Sequence, residues 1–130
     1  MSIWYPDWNF LVETHKEMLR RYGGHPGIPS YGKSAFNTIL KEMKEIEGIY
    51  AQAAFMLRRL RAARVFDDAV KRTSVVAVVT FLRMNGEDIA VTNPLKIYTF
   101  IKDILKYGYK EIEEWLRNGR LPEGPLEGPR

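Results

Sequence analysis

Residues 69–84 read Ala-Val-Lys-Arg-Thr-Ser-Val-Val-Ala-Val-Val-Thr-Phe-Leu-Arg-Met, with no glycine or proline among them. The run Val75-Val76-Ala77-Val78-Val79 has the β-branched composition of a buried strand, and periodicity alone does not separate strand from buried helix. Length does, because an uninterrupted segment of this extent exceeds an ordinary strand and suits a helix. A helix that is apolar on every side must lie at the centre of a domain, with other helices packed around it. Asn85-Gly86 marks its end.

The flanking segments supply those other helices. From Trp8 onward, Leu11, Val12, His15, Leu19 and Tyr22 recur at helical spacing until Gly23-Gly24 stops the pattern as a C-cap does. A turn follows from Gly24 to Pro29, and then Phe36, Ile39, Leu40, Met43 and Ile46 form a second stripe that Gly48 closes. A third stripe runs through Tyr50, Ala53, Ala54, Leu57 and Leu60 and points at Arg64, one heptad beyond Leu57. Residues 88–91 read as a short extended piece. Asn93 then caps a helix with Pro94 at its first position and Ile97, Phe100, Ile101, Ile104 and Leu105 on its inner face. Gly108 interrupts that helix, and a last one carries Ile112, Trp115 and Leu116 to Gly119. The expected fold is all-α, a compact helical bundle around a central buried helix. It forms one domain over residues 1–120, followed by a mobile tail rich in proline and glycine at 121–130.

Composition narrows the chemistry. The chain has 130 residues and no cysteine, which excludes disulfides, iron–sulfur clusters, thiolate zinc sites and cysteine nucleophiles. Its two histidines, His15 and His25, leave little for a metal site; His15 falls on the inward stripe of the first helix and His25 in a turn. No basic start followed by an apolar run opens the chain, and no apolar stretch reaches the ~18 residues of a membrane span. The cytoplasm is therefore the expected compartment. A net charge of +4 permits attraction to nucleotides or acidic partners. Charges of both signs are interspersed along the helices, however, and Arg58, Arg59, Arg61 and Arg64 alternate with Leu57 and Leu60 as on a half-buried helix. The pattern predicts a solvated, mildly basic surface and no dedicated nucleic-acid face.

Asp67-Asp68-Ala69-Val70-Lys71-Arg72-Thr73 opens the central helix, where backbone N–H groups and the positive end of the helix dipole converge on a bound anion. Lys71 and Arg72 add charge at the same place, and Asp68 is a candidate ligand for magnesium. From the residues alone a second reading stands beside this one. In it Asp67 or Asp68 is an N-cap, and Lys71-Arg72 is a solvated first turn.

The segment resembles the Fic/Doc (Fido) family, whose signature runs His-x-Phe-x-Asp/Glu-Gly/Ala-Asn-Lys-Arg, and within it the Doc (death-on-curing) toxin branch. Phe66, Asp68, Ala69, Lys71, Arg72 and Thr73 fit that pattern. Two further stretches look similar to Doc: His15 to Gly27, with Tyr22-Gly23-Gly24 inside it, and Thr80 to Gly86. The resemblance implies an all-helical bundle and transfer of a phosphoryl or AMP group from a nucleotide to a protein hydroxyl. It implies ATP and Mg2+ as cofactors, with Asp68 holding the metal and Lys71, Arg72 and Thr73 the nucleotide. It further implies an antitoxin protein as partner and a protein substrate such as a translation factor.

Two positions depart from the pattern. Arg64 stands at the place of the family histidine and Val70 at that of the asparagine. A guanidinium with a pKa above about 12 does not accept a proton near neutrality, so general-base catalysis is lost at Arg64. Such a loss lowers a rate by roughly a hundred- to ten-thousand-fold. Arg64 either extends the Lys71-Arg72 cluster toward a phosphate or caps a helix end as a surface cation. Two functions follow: a Doc-like toxin-family protein with weak or lost transfer, or a non-catalytic relative acting through an antitoxin-like partner.

Overall fold

A computed structural model describes residues 2–121, and all regular structure among them is helical. In chain order the elements are α1 (Trp8–Tyr22), α2 (Gly32–Met43), α3 (Ile49–Ala63), α4 (Val70–Met84), α5 (Pro94–Lys102), a 3₁₀ turn (Ile104–Lys106) and α6 (Tyr109–Asn118). The tail expected at 121–130 lies, beyond Leu121, outside the described residues.

The helix ends follow local chemistry. The Asp7 carboxylate accepts a hydrogen bond from the Phe10 N–H at 2.8 Å and starts α1. Asn93 does the same for α5, its side-chain oxygen accepting from the N–H groups of Leu95 at 2.9 Å and Lys96 at 3.1 Å, with Pro94 at the first helical position. The Glu111 carboxylate accepts from the Gly108 N–H at 2.9 Å as α6 begins, and Gly119 ends that helix in the left-handed conformation.

The core lies between α3 and α4. Helix α4 packs against α1, α3 and α5, and α3 packs against α2, α4, α6 and the 3₁₀ turn. Ala77, Val78, Phe81 and Leu82 of α4 are sealed from solvent, as are Ala53, Ala54, Met56, Leu57 and Leu60 of α3. Val75, Val76 and Val79 are only half-buried. The central position is thus shared with α3, and α4 is open along the strip that faces α5.

Two expectations change in detail, and a third gains a contact. The extended piece at 88–91 carries no regular secondary structure, and the Ala90 N–H donates to the Leu116 carbonyl at 2.9 Å and ties it to α6. The helix expected through Leu105 ends at Lys102, and the tighter 3₁₀ turn after it keeps Ile104 inside while Leu105 emerges 46% exposed. The stripe of α3 stops at Ala63, so Arg64 leaves the helix and is exposed.

Asn85, just past α4, joins the N-terminal segment to the core. Its side-chain oxygen accepts from the Trp4 N–H at 2.9 Å, and its amide nitrogen donates to the carbonyls of Trp4 at 2.9 Å and Phe81 at 2.8 Å. Asn85→Ala removes all three bonds and is expected to lower the unfolding free energy by about 1–3 kcal/mol. A urea midpoint identical to that of the parent protein would show that this anchor carries no stability.

Candidate functional site

The site is built from the turn between α3 and α4. Ile49–Ala63 ends because Arg64 takes a left-handed conformation (φ 51°), and α4 starts only after Ala69 does the same (φ 61°). For residues with a Cβ this conformation is uncommon, and Val65 and Phe66 between them hold it in place by being buried. Phe66 stacks on the His15 ring, with centroids 3.8 Å apart and planes 5° apart, and on Trp8 at 5.8 Å and 18°. The Tyr31 hydroxyl donates to the Arg64 carbonyl at 3.1 Å.

A second loop, residues 23–31, is pressed onto this turn. The Asp67 N–H donates to the Gly27 carbonyl at 3.0 Å. The Asp68 carboxylate accepts from the His25 N–H at 3.1 Å through Oδ2 and from the Ala69 N–H at 2.8 Å through Oδ1. Gly24 has a φ of 126°, and a Cβ there would lie 2.9 Å from Asp68 Oδ2. At Gly27 the clash would be harder, 1.9 Å from Asp67 Oδ2. The two glycines let the carboxylates sit against the loop backbone.

His15 closes this arrangement from beneath. It is 1% exposed, and its Nε2 lies 3.0 Å from the Asp68 carbonyl oxygen. A carbonyl only accepts, so Nε2 carries the proton and donates. Burial lowers the His15 pKa below the usual imidazole value of 6.5, against the opposing pull of the Asp68 carbonyl and the two nearby carboxylates. The ring is a neutral structural donor at pH 7. Asp68 is shifted below the usual 3.8, first by the His25 N–H and then by the Ala69 N–H, and stays ionised.

Above the turn lies a cavity of about 320 Å³ bordered by Arg61, Arg64, Asp67, Asp68, Val70, Lys71, Arg72 and Tyr98, with Ala69 at its base. Four cations thus face two carboxylates. The structure brings Asp68, Lys71, Arg72 and Arg64 to one place, as the sequence pattern predicts. Thr73 is the exception: it is buried one turn into α4, does not border the cavity, and its hydroxyl has no partner among the described residues. Thr73 lies on the face of α4 that is turned into the core, with Val70, Ser74 and Ala77. Val70 fills its slot with an apolar, nearly buried side chain that makes no hydrogen bond.

Two wall residues escape the motif. Arg61 lies in the last turn of α3, and its closeness in sequence to Arg64 was the available signal. Tyr98 arrives from α5 by tertiary packing and leaves no local trace in the sequence. The run of arginines on α3 divides: Arg58 donates to the Tyr107 and Leu105 carbonyls and Arg59 pairs with Glu42, leaving Arg61 and Arg64 for the cavity.

The donor set suits an anion better than a dication. Both Asp68 oxygens already accept N–H bonds, and four cationic side chains border the same cavity. The magnesium implied by the resemblance does not fit these residues. Nor does the cavity contain a histidine to act as a base.

No protein-family profile matches the chain. Over 82 residues it is 30% identical to the protein kinase doc of Escherichia phage P1, covering 58% of this chain and 64% of that protein. The match supports a Doc-like relationship. The chain spans less than two-thirds of that relative's length. No helix among the described residues is long and apolar enough to cross a membrane.

The titration of this turn has a definite sign. Because the folded state holds the His15 pKa below 6.5, the unfolded chain binds the proton first, and stability falls as pH drops below about 6.5. Asp68 adds a second loss, in a lower window that opens as pH falls toward and below 3.8. Chemical denaturation at steps between pH 7 and 5 is expected to show declining stability in the parent protein and a flatter profile in His15→Gln. An equal slope in both would remove His15 as the titrating group.

Proposed function

We propose that this protein is a Doc-like toxin-family member of a toxin–antitoxin pair that binds a nucleotide such as ATP through its phosphates at the α3–α4 turn. On this reading, transfer of a phosphoryl or AMP group to a protein hydroxyl is weak or lost. The carrying observation is the cavity itself. Lys71 and Arg72 border it beside the N–H groups of the first turn of α4, while Arg64 stands where a proton acceptor is needed. The relative's name as a protein kinase supports the nucleotide. The expected setting is the cytoplasm, with an antitoxin as partner and a translation factor as the kind of protein substrate.

One observation favours the second, non-catalytic reading. An apolar groove of about 360 Å³ runs between α1, α4 and α5 past Met18, Tyr22, Val76, Ile97 and Ile101, and meets the cationic cavity at Lys71, Arg72 and Tyr98. Such a groove suits an antitoxin-like protein segment.

Calorimetric titration with ATP tests the site. The parent protein is expected to bind, and Lys71→Ala and Arg72→Ala each to weaken binding by about tenfold, corresponding to about 1.4 kcal/mol. Absence of binding at millimolar ATP would defeat the nucleotide reading. Activity is tested separately by the double variant Arg64→His/Val70→Asn. A decayed enzyme is expected to regain labelling of a protein with γ-labelled ATP; no gain would favour the binding protein.

A further inference from the structure

We infer that the cavity takes the polyphosphate group of its ligand without a divalent cation, Arg61 and Arg64 supplying the charge that a metal would otherwise supply. The inference rests on the reading of the cavity as a phosphate site and goes beyond it in naming how the charge is balanced.

The gathering of four unpaired cations at one cavity carries the argument; other cations without a carboxylate partner among the described residues, such as Lys33, Lys96 and Arg120, are scattered over the exposed surface. Arg20, Arg21, Arg59, Arg83 and Arg117 each pair with a carboxylate, and Arg58 donates to two carbonyls. Arg61, Arg64 and Lys71 have no such acceptor among the described residues, and Arg72 only lies over the Tyr22 ring at 4.8 Å. All four border the same cavity. The Nε of Arg61 is moreover shielded from solvent with no hydrogen-bond acceptor, a state that a buried donor does not hold without cost. Turning the guanidinium toward a phosphate oxygen in the cavity relieves that cost.

The two carboxylates offset part of this charge and leave an excess of two positive groups at the cavity. Asp68 is engaged through both oxygens by the N–H groups of His25 and Ala69, and Asp67 Oδ2 lies against Gly27 of the neighbouring loop. A dication entering the cavity meets four positive side chains, whereas a polyphosphate meets four donors of matching charge. The planar guanidinium groups of Arg61 and Arg64 also suit bidentate contact with phosphate oxygens. Magnesium bound to the ligand reduces its negative charge and so opposes binding here. The chemistry is shared by nucleoside triphosphates and inorganic polyphosphate.

The probes are ATP and inorganic tripolyphosphate, each titrated calorimetrically into the full chain in EDTA and again in excess Mg2+. Both are expected to bind in EDTA, with weaker binding when Mg2+ is added. Arg61→Gln and Arg64→Gln are each expected to weaken EDTA binding by about tenfold. Arg61→Lys, which retains the charge, should lose less than Arg61→Gln, and circular dichroism of each variant confirms that the helices remain. Tighter binding of ATP than of tripolyphosphate supports the inference with a nucleotide as ligand; equal binding supports it with inorganic polyphosphate. Binding of ATP only in Mg2+, or binding indifferent to both glutamine variants, overturns the inference and leaves the phosphate site standing. No binding of either probe in either buffer overturns the site itself.

Discussion

Phe66 stacked on His15 and Trp8 is the contact on which the α3–α4 turn depends. Two residues with side chains, Arg64 and Ala69, are left-handed within six positions, at a cost on the order of 1–2 kcal/mol each. Burial of Val65 and Phe66 contributes roughly 1.5–3 kcal/mol apiece and is sufficient to offset that cost. The geometry of the turn follows from the same balance. With Phe66 drawn inward, Arg64 on one side and Asp67 and Asp68 on the other are driven to the surface, where they border the cavity.

Asp68 then has a structural use independent of any ligand. Its carboxylate ties the 23–31 loop to the turn through His25, and its carbonyl accepts the proton that fixes the His15 tautomer. Side chain and backbone of one residue thus hold α1, the glycine loop and α4 in register. A carboxylate so engaged is a poor base, because the N–H bonds that orient it also favour its ionised form. With Arg64 at the remaining motif position, four cationic side chains border the cavity beside Asp67 and Asp68, and no histidine is among its lining.

Much of the fold was legible because its signals are local. Gly23, Asn93 with Pro94, and Gly119 mark helix ends through caps that act within a few residues, and the stripes of Phe36, Ile39 and Leu57 match the residues that are buried. The turn was harder to read. Extending α3 to Arg64 by heptad spacing assumed helical dihedrals at a residue that is left-handed, and assigning Thr73 to the nucleotide from its place in the motif overlooked that its face of α4 is buried. Leu105 was misplaced for a similar reason, since a 3₁₀ turn advances side chains by a different angle from an α-helix. The motif positions Asp68, Lys71 and Arg72 were found because they are contiguous. Arg61 and Tyr98 complete the cavity from other helices, and only packing brings them there.

Lys71, Arg72 and Tyr98 border both the apolar groove and the cationic cavity, so occupancy of the two is not independent. A protein segment lying in the groove touches the cations that a phosphate needs, and Tyr98, 58% exposed, stands at the junction. An acidic segment competes with phosphate for Lys71 and Arg72, whereas an apolar one leaves their charge available and encloses the anion more fully. Whichever sign applies, linkage makes it reciprocal: the effect of a partner on phosphate affinity equals the effect of phosphate on partner affinity. On the proposed reading, the shared wall of Lys71, Arg72 and Tyr98 would couple binding of a partner to binding of an anion without a moving element.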